Sequence, residues 1–342
     1  MSVQTPTFAI ISGDQVQHVL KDKHRHVVDL VEQTYLAQAS GTTVNPPSCF
    51  LRFPDRPAAR IIALPASVGG VSPTDGLKWI SSFPENVASG LPRASAVLIL
   101  NDPRTGYPYA CLEASIISAA RTAASAALAA DWLSRDRGRP LRAGFVGTGL
   151  IARYVHDYLV NTGWVFEEVG LYDLSVDHAM GFQGYLARCP GSAPVTRHRR
   201  VEDAIRASDL VVFTTVASEP HVHDPGLFTH HPLVLHLSLR DLSPQVVLAS
   251  ANIVDDIDHC LRANTSPHLA EQATGHRDFI DGTLSDVING TVRVPRDRAV
   301  LFSPFGLGVL DLVVGRFVHD TVQSRGELVL VDGFFNETRR YG

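Results

Sequence analysis

At 342 residues, with 45% hydrophobic and 19% charged side chains, the chain is too long for one ordinary core and apolar enough to bury two. A formal net charge of −5, with no Lys/Arg block longer than "RHRR" at 197–200, gives no electrostatic reason to expect a nucleic-acid partner. No window reaches the ~18 unbroken apolar residues of a membrane helix, and "MSVQTPTFAIISGDQV" lacks the basic and apolar regions of a secretory signal, so the expected compartment is the cytoplasm.

From the amino end, a helix is predicted near residues 22–39. The runs "SCFLRFP", "ARIIALPAS", "GLKWISSFP" and "ASAVLILND" then read as strands joined by Gly/Pro turns with no helix between them. That texture predicts an antiparallel or mixed sheet in a domain of its own. "RTGYP" at 104–108 reads as a hairpin turn. Arg52 in "CFLRFP" and Lys78 in "GLKWIS" interrupt apolar strand runs. Each is either an edge charge facing solvent or a cation turned into a cleft.

Residues 112–134, "LEASIISAARTAASAALAADWLS", are dominated by alanine, the best intrinsic helix former, and form the clearest helix in the chain. It leads straight into the next strand and is expected to link two domains. Arg121 lies on this helix where polar surface is scarce, so its guanidinium needs an anionic partner. The planar fork suits a carboxylate bidentately. Arg52, Lys78 and Arg121 at one cleft would bind an amino acid or a dicarboxylate.

From about residue 141 the rhythm changes. "RAGFVG", "EEVGLYD", "DLVVFTTV", "PLVLHLSL", "NIVDDI" and "AVLFS" are short β-rich runs separated by amphipathic helical stretches, which predicts a doubly wound parallel sheet. The first of them runs into Gly147, Gly149 and Ala152, a G-x-G-x-x-A turn. The first glycine allows the tight turn, the second lets a pyrophosphate approach, and the small third residue lets helix and strand pack closely. Backbone amides and the helix dipole then face the phosphates. Alone the pattern is weak; Asp173, ending "EVGLYD" some 20 residues on, strengthens it, because a carboxylate there accepts the adenosine ribose hydroxyls and repels a 2′-phosphate. The expected cofactor is therefore NAD rather than NADP. Its predicted site comprises Gly147, Thr148, Gly149, Leu150, Ile151 and Asp173, with Thr214, Thr215, Val216 and Ser238 from later strand ends.

Asp241 follows the apolar run "LVLHLSL" at a strand's carboxyl end, the edge at which open parallel sheets bind ligands. It is the candidate catalytic acid/base, the alternative being a cap for the next helix. A last helix, "GLGVLDLVVGRFVHDTVQ", is expected to return the chain to the first domain. The four cysteines lack the paired spacing of a zinc or redox motif and are expected to be reduced, mostly buried thiols. None of the 15 histidines falls in an HExxH-like pattern, so no metal is expected.

"GLKWISSFPEN", "LILNDPRTGYPYACLEASIISAARTAASAALAA", "GFVGTGLIAR" and "FSPFGLGVLDLVVG" together resemble the ornithine cyclodeaminase/mu-crystallin family over nearly the whole chain. The resemblance implies an α/β fold: a Rossmann NAD-binding domain, residues 121–307, beside an α+β substrate and dimerisation domain, residues 1–120 plus 308–342, with the latter's sheets joining two subunits in a homodimer. By motif, Lys78 and Arg121 match the family's substrate-carboxylate binders, Arg52 matches a further one, and Asp241 matches the catalytic aspartate. "GLPRAS", placing Arg93 near the cleft, "HLSLRDLSP" and "FSPFG" depart from ornithine cyclodeaminase. They resemble the subgroup of N-(2-amino-2-carboxyethyl)-L-glutamate dehydrogenases, which form 2,3-diaminopropionate for siderophores and peptide antibiotics. That substrate carries three carboxylates, and four candidate cations, Arg52, Lys78, Arg93 and Arg121, suit it better than they suit ornithine. The rival expectations are ornithine cyclodeaminase or an alanine dehydrogenase of the family, and, further off, a non-catalytic mu-crystallin-like binding protein.

Overall fold

The computed structural model describes residues 6–70, 73–189 and 191–336. The chain divides into two compact units, Met1–Arg121 with Leu307–Gly342 and Thr122–Gly306. The first five and last six residues, expected in the first domain, lie outside the described residues.

The first unit opens with two helices, α1 (Gly13–Leu20) and α2 (His24–Ala39), where the sequence predicts one. Ser12 and Gln15 close a capping box at the start of α1. Asp22, at φ 57°, sits in the left-handed region between the helices and ends the first turn of the path before the second begins. The strands are β1 (Ala9–Ile11), β2 (Thr43–Val44), β3 (Cys49–Phe53), β4 (Arg56–Val68), β5 (Thr74–Ser82), β6 (Ala94–Asn101) and β7 (Pro108–Glu113). With a last strand, Val329–Leu330, they form a sheet in the order (Val329–Leu330)-β1-β7-β6-β5-β4-β2, and β3 pairs with β4. It is mixed: β1 and β7 run parallel, the other pairs antiparallel. Asp102 accepts the backbone N–H groups of Arg104 and Thr105 and so fastens the turn between β6 and β7.

Side chains alternate along β5, so Lys78 shares a face with Gly76 and Ser82 while Trp79 points to the other. The C-terminal helix, Gly308–Ser324, covers the Lys78 face. A Cβ on Gly315 would lie 2.0 Å from Leu98 Cδ2, and one on Gly76 would lie 2.2 Å from the Ile99 carbonyl oxygen and 2.7 Å from Leu312 Cδ2. These two glycines let the helix lie close on the sheet. The long alanine helix is α3 (Ser115–Ser134), and the division between units falls within it.

The second unit carries β8 (Arg142–Val146), β9 (Glu168–Tyr172), β10 (Val195–Arg197), β11 (Leu210–Phe213), β12 (Leu233–His236), β13 (Ala251–Val254), β14 (Ile280–Thr283) and β15 (Val300–Ser303). All pair in parallel, in the order β10-β9-β8-β11-β12-β15-β13-β14. β8, β11, β12, β13 and β15 are buried along nearly their whole length, the mark of a parallel sheet covered on both faces. From β8 the chain moves outward through β9 to β10 and then crosses to β11 on β8's other side, which makes the carboxyl ends of β8 and β11 the topological switch point. β10 and β14 were not separable in the sequence, because "VTR" and "IDGT" are short and carry little periodicity.

Candidate active site

At the switch point, β8 enters Gly147 at φ 86° and α4 (Leu150–Asn161) begins behind Gly149. A Cβ on Gly147 would come within 2.9 Å of the Thr214 carbonyl and the Thr215 nitrogen, so both backbone angle and space demand glycine there. A Cβ on Gly149 would meet no described protein atom within 4 Å, so packing does not account for that glycine. Thr148 is buried, Leu150 is half exposed, and Ile151 lies between. Asp173, just beyond β9, folds against this turn: Oδ2 accepts from the backbone N–H and the hydroxyl of Thr148, both at 2.8 Å, and Oδ1 accepts the N–H of Ser175 at 2.9 Å. The carboxylate is thus fastened to the glycine turn with acceptor capacity left on Oδ1.

Thr214 and Thr215 continue from β11 on the other side of the crevice. Thr214 donates to the Gly147 carbonyl at 2.7 Å, and Thr215 donates to Asp241 Oδ1 at 2.5 Å. Val216 beside them is exposed. Asp241 itself is completely buried. His221 Nε2 lies 3.0 Å from its Oδ1, His236 Nε2 lies 3.2 Å from its Oδ2, and Ser238 donates to Oδ2. Burial by itself would push this carboxyl up, but the bonds from His221, His236 and Ser238 prevail and hold it well below the usual carboxylate range. The helix-cap alternative for Asp241 does not describe this arrangement: the following helix, Pro244–Leu248, has Ser243 at its cap position. His221 and His236 escaped the sequence reading, because nothing in the spacing of "HVHDP" or "LVLHLSL" points at Asp241.

In the first unit, Lys78 is buried and donates to Asp311 Oδ2 at 2.6 Å and to Ser118 Oγ at 3.2 Å. Arg121 reaches Asp311 Oδ1 through Nε at 3.2 Å. Asp311 is the anion that Arg121 was expected to need. It shows in the sequence only as a lone acid within "GLGVLDLVVG". Two cations share one carboxylate, so with Lys78 protonated the group holds a surplus positive charge, which is costly unless an anion joins it. Burial, then repulsion from Arg121, lower the Lys78 ammonium to about 8 against the opposing pull of Asp311.

Arg93 donates to Ser82 Oγ at 2.7 Å, and burial lowers its guanidinium. Ser82 stands opposite Arg60, which stands opposite Arg52. Opposed residues in a ladder share a face, so Arg52, Arg60 and the Arg93–Ser82 pair form a row on the Lys78 face. Arg52 is exposed, with its guanidinium 5.1 Å from the Phe50 ring centre. The structure therefore joins Lys78 to Arg121 through Asp311 and sets Arg52 and Arg93 further along the same face. Arg60 was missed because "ARIIALPAS" reads as an ordinary strand start.

The cysteine expectation needs correction: Cys260 is buried, whereas Cys49 is exposed and Cys111 and Cys189 are intermediate. Cys49 starts the outlying strand β3, which leaves it uncovered. Among the described residues, His156, Asp157 and Cys189 also bring ligand-type atoms within 4.8 Å of one another. Their distance in sequence concealed the grouping.

A family model described as the ornithine cyclodeaminase/mu-crystallin family matches residues 14–326. The chain belongs to that family. Among its relatives, the chain is 28% identical to an N-((2S)-2-amino-2-carboxyethyl)-L-glutamate dehydrogenase of Staphylococcus aureus, over 87% of this chain and 90% of that protein. It is 27% identical to an alanine dehydrogenase of Archaeoglobus fulgidus, over 92% and 95%. Among solved structures of this family's fold, a Delta(1)-pyrroline-2-carboxylate reductase of Thermococcus litoralis, in complex with NADH and L-proline, superposes with a TM-score of 0.85 at 23% identity, covering 95% of this chain and all of that one.

Proposed function

We propose that this member of the ornithine cyclodeaminase/mu-crystallin family is an NAD-dependent dehydrogenase that cleaves N-(2-amino-2-carboxyethyl)-L-glutamate oxidatively to 2,3-diaminopropionate and 2-oxoglutarate, for siderophore or peptide-antibiotic assembly. The observation that carries this reading is the spacing of cations on one sheet face. Lys78 and Ser82, the anchor of Arg93, lie four residues apart on β5, about 13 Å along an extended strand. Lys78 with Arg121 suits a carboxylate at one end of a long substrate, and the row of Arg93, Arg60 and Arg52 suits carboxylates at the other. Alanine offers one carboxylate, and ornithine adds a cation that this row would repel. The relative in Staphylococcus aureus supports the reading.

NAD fits the second unit: Gly147 gives the turn, Gly149 leaves room for pyrophosphate, and Asp173 stands ready for the adenosine ribose. Held there, NAD would supply the hydride acceptor for the α-carbon of the glutamate half, so that the substrate's C–N bond becomes an imine. The chain's own work is to anchor the carboxylates and, through the Asp241 cluster, to move protons as water adds and the carbon–nitrogen bond breaks. The outer face of the first unit's sheet, with Trp79 41% and Val97 39% exposed opposite each other, suits a second copy of the chain, and a homodimer is part of this reading. No helix among the described residues is long and apolar enough to cross a membrane, and a cytoplasmic enzyme fits the reading.

The test is a panel of amino acids and N-substituted glutamates with purified protein and NAD, following NADH absorbance and 2-oxoglutarate. Net NADH with the tricarboxylate supports the proposal. NADH only with alanine, cyclisation of ornithine without net NADH, or binding without turnover would each point to another member activity.

Arg93→Ala raises KM for the tricarboxylate about ten- to a hundredfold, the size of a hydrogen bond to a charged group of roughly 1.5 to 3 kcal/mol. KM for NAD stays put, and an analogue lacking the distal carboxylate is little affected. An unchanged tricarboxylate KM would mean that Arg93 serves only Ser82.

Asp173→Ala narrows the preference for NAD over NADP by about tenfold or more, since it removes an acceptor for the ribose hydroxyls and a repulsion against a 2′-phosphate. The ratio of kcat/KM for the two cofactors measures it. Equal rates with both in the parent protein would defeat the assignment.

A further inference from the structure

Resting on the reading above, we propose that His221 is the group that takes and returns the proton during turnover, and that Asp241 positions it. The Asp241 carboxylate is fully enclosed and each oxygen already faces two partners: Thr215 and His221 at Oδ1, Ser238 and His236 at Oδ2. A carboxylate has about four lone-pair positions. Thr215, His221 and Ser238 donate into three of them, and His236 Nε2, which also faces the Asp241 backbone N–H at 3.2 Å, covers the fourth, so none of the four opens to water or substrate.

Of the four partners, two are hydroxyls that do not titrate in the working range, and His236 is completely buried. The His221 side chain is 35% exposed. An ionised carboxylate can only accept, so His221 Nε2 must carry the hydrogen, and Nδ1 then holds a free lone pair. The backbone fixes the ring further. The N–H groups of His221 and Val222 both donate to the Asp241 carbonyl, at 3.0 and 2.9 Å, and Val222 bridges to Leu242. His221 is therefore tied to Asp241 through main chain and side chain at once, on the sheet edge where Thr214 touches Gly147. A base held in one tautomer by a buried acid is the arrangement that proton transfer in acyl transfer enzymes also uses, on unrelated folds.

Water attacks the imine carbon, its oxygen forming the new C–O bond, while Nδ1 of His221 takes the water proton. On the protonated imine that hydride loss leaves, the same proton then passes to the nitrogen; as the C–N bond breaks, the amine leaves with the bonding electron pair and Nδ1 takes the remaining hydroxyl proton, which leaves the carbonyl of 2-oxoglutarate.

The experiment compares His221→Gln, whose amide can still donate to Asp241 but cannot act as a base, with His221→Ala assayed with and without added imidazole. The expected result is a fall in kcat of about a hundredfold in both variants, NADH affinity by fluorescence within about twofold of the parent, and recovery of His221→Ala in proportion to imidazole free base. Near-parental kcat in His221→Gln would overturn the proposal and leave His221 as a brace. So would the absence of imidazole rescue. Both variants are assayed on whichever panel compound yields NADH, so a wrong substrate does not mimic a wrong residue. Nitrogen NMR of histidine-labelled protein gives a readout that needs no substrate: the proposal requires His221 in its Nε2–H tautomer, and an Nδ1–H tautomer would sink it.

Discussion

Asp241→Asn lowers kcat by at least about a hundredfold while the affinity for NADH barely changes. The replacement keeps shape and volume but turns one carboxylate oxygen into an NH2 group, which then faces either Thr215 and His221 or Ser238 and His236. If the amide faces His221, it donates to Nε2 and forces the opposite tautomer, with the hydrogen on Nδ1, so the ring can no longer accept a proton. If it faces Ser238, a partly buried hydroxyl loses its acceptor, which costs up to roughly 1 to 3 kcal/mol of stability. Steady-state kinetics, NADH fluorescence titration and thermal unfolding separate the two. Retention of parental kcat would remove Asp241 from the mechanism altogether.

The second large effect concerns Lys78 and pH. Burial and the neighbouring Arg121 lower its ammonium from 10.5 to about 8. In the fold the charged form is the disfavoured one, so below about pH 8 this residue costs stability, and the cost fades as pH rises toward 10.5, where the unfolded chain also loses the proton. Substrate affinity runs the other way. An anionic carboxylate binds the ammonium and not the amine, so KM is flat below about pH 8 and rises above it, approaching tenfold per pH unit. Lys78→Met abolishes that rise and weakens substrate binding about ten- to a hundredfold at neutral pH, the range for one charged hydrogen bond. Asp311 then keeps Arg121 as its partner, so the variant folds. A KM that stays level from about pH 7 to about pH 9.5 in the parent protein would show that Lys78 does not meet the substrate.

Much of the architecture was legible because it is written in local patterns. The alanine run from 115 to 134 is helix by intrinsic propensity. The strands β8, β9, β11, β12, β13 and β15 follow from apolar runs of strand length bounded by turns. Gly147 and Gly149 follow from a turn that only glycine can make or that a ligand must approach. α1 was illegible, because eight residues offer barely two turns of apolar periodicity.

Within the site, the sequence by itself determined which residue types were out of place: Lys78 and Arg121 in apolar surroundings, Asp173 and Asp241 at strand ends. Those are one-dimensional anomalies, and burial makes each of them demand a partner. The partners were decided only by the tertiary structure. Asp311 reaches Lys78 across 233 positions of sequence, His221 reaches Asp241 across 20, and Arg60 joins Arg52 and Ser82 through strand register. Hydrogen bonds and ion pairs act over about 3 Å, and no spacing rule in the chain says which distant residues folding will bring that close. The need for a counter-charge could therefore be read residue by residue, whereas its source, and with it the proton-carrying atom, required the packed fold.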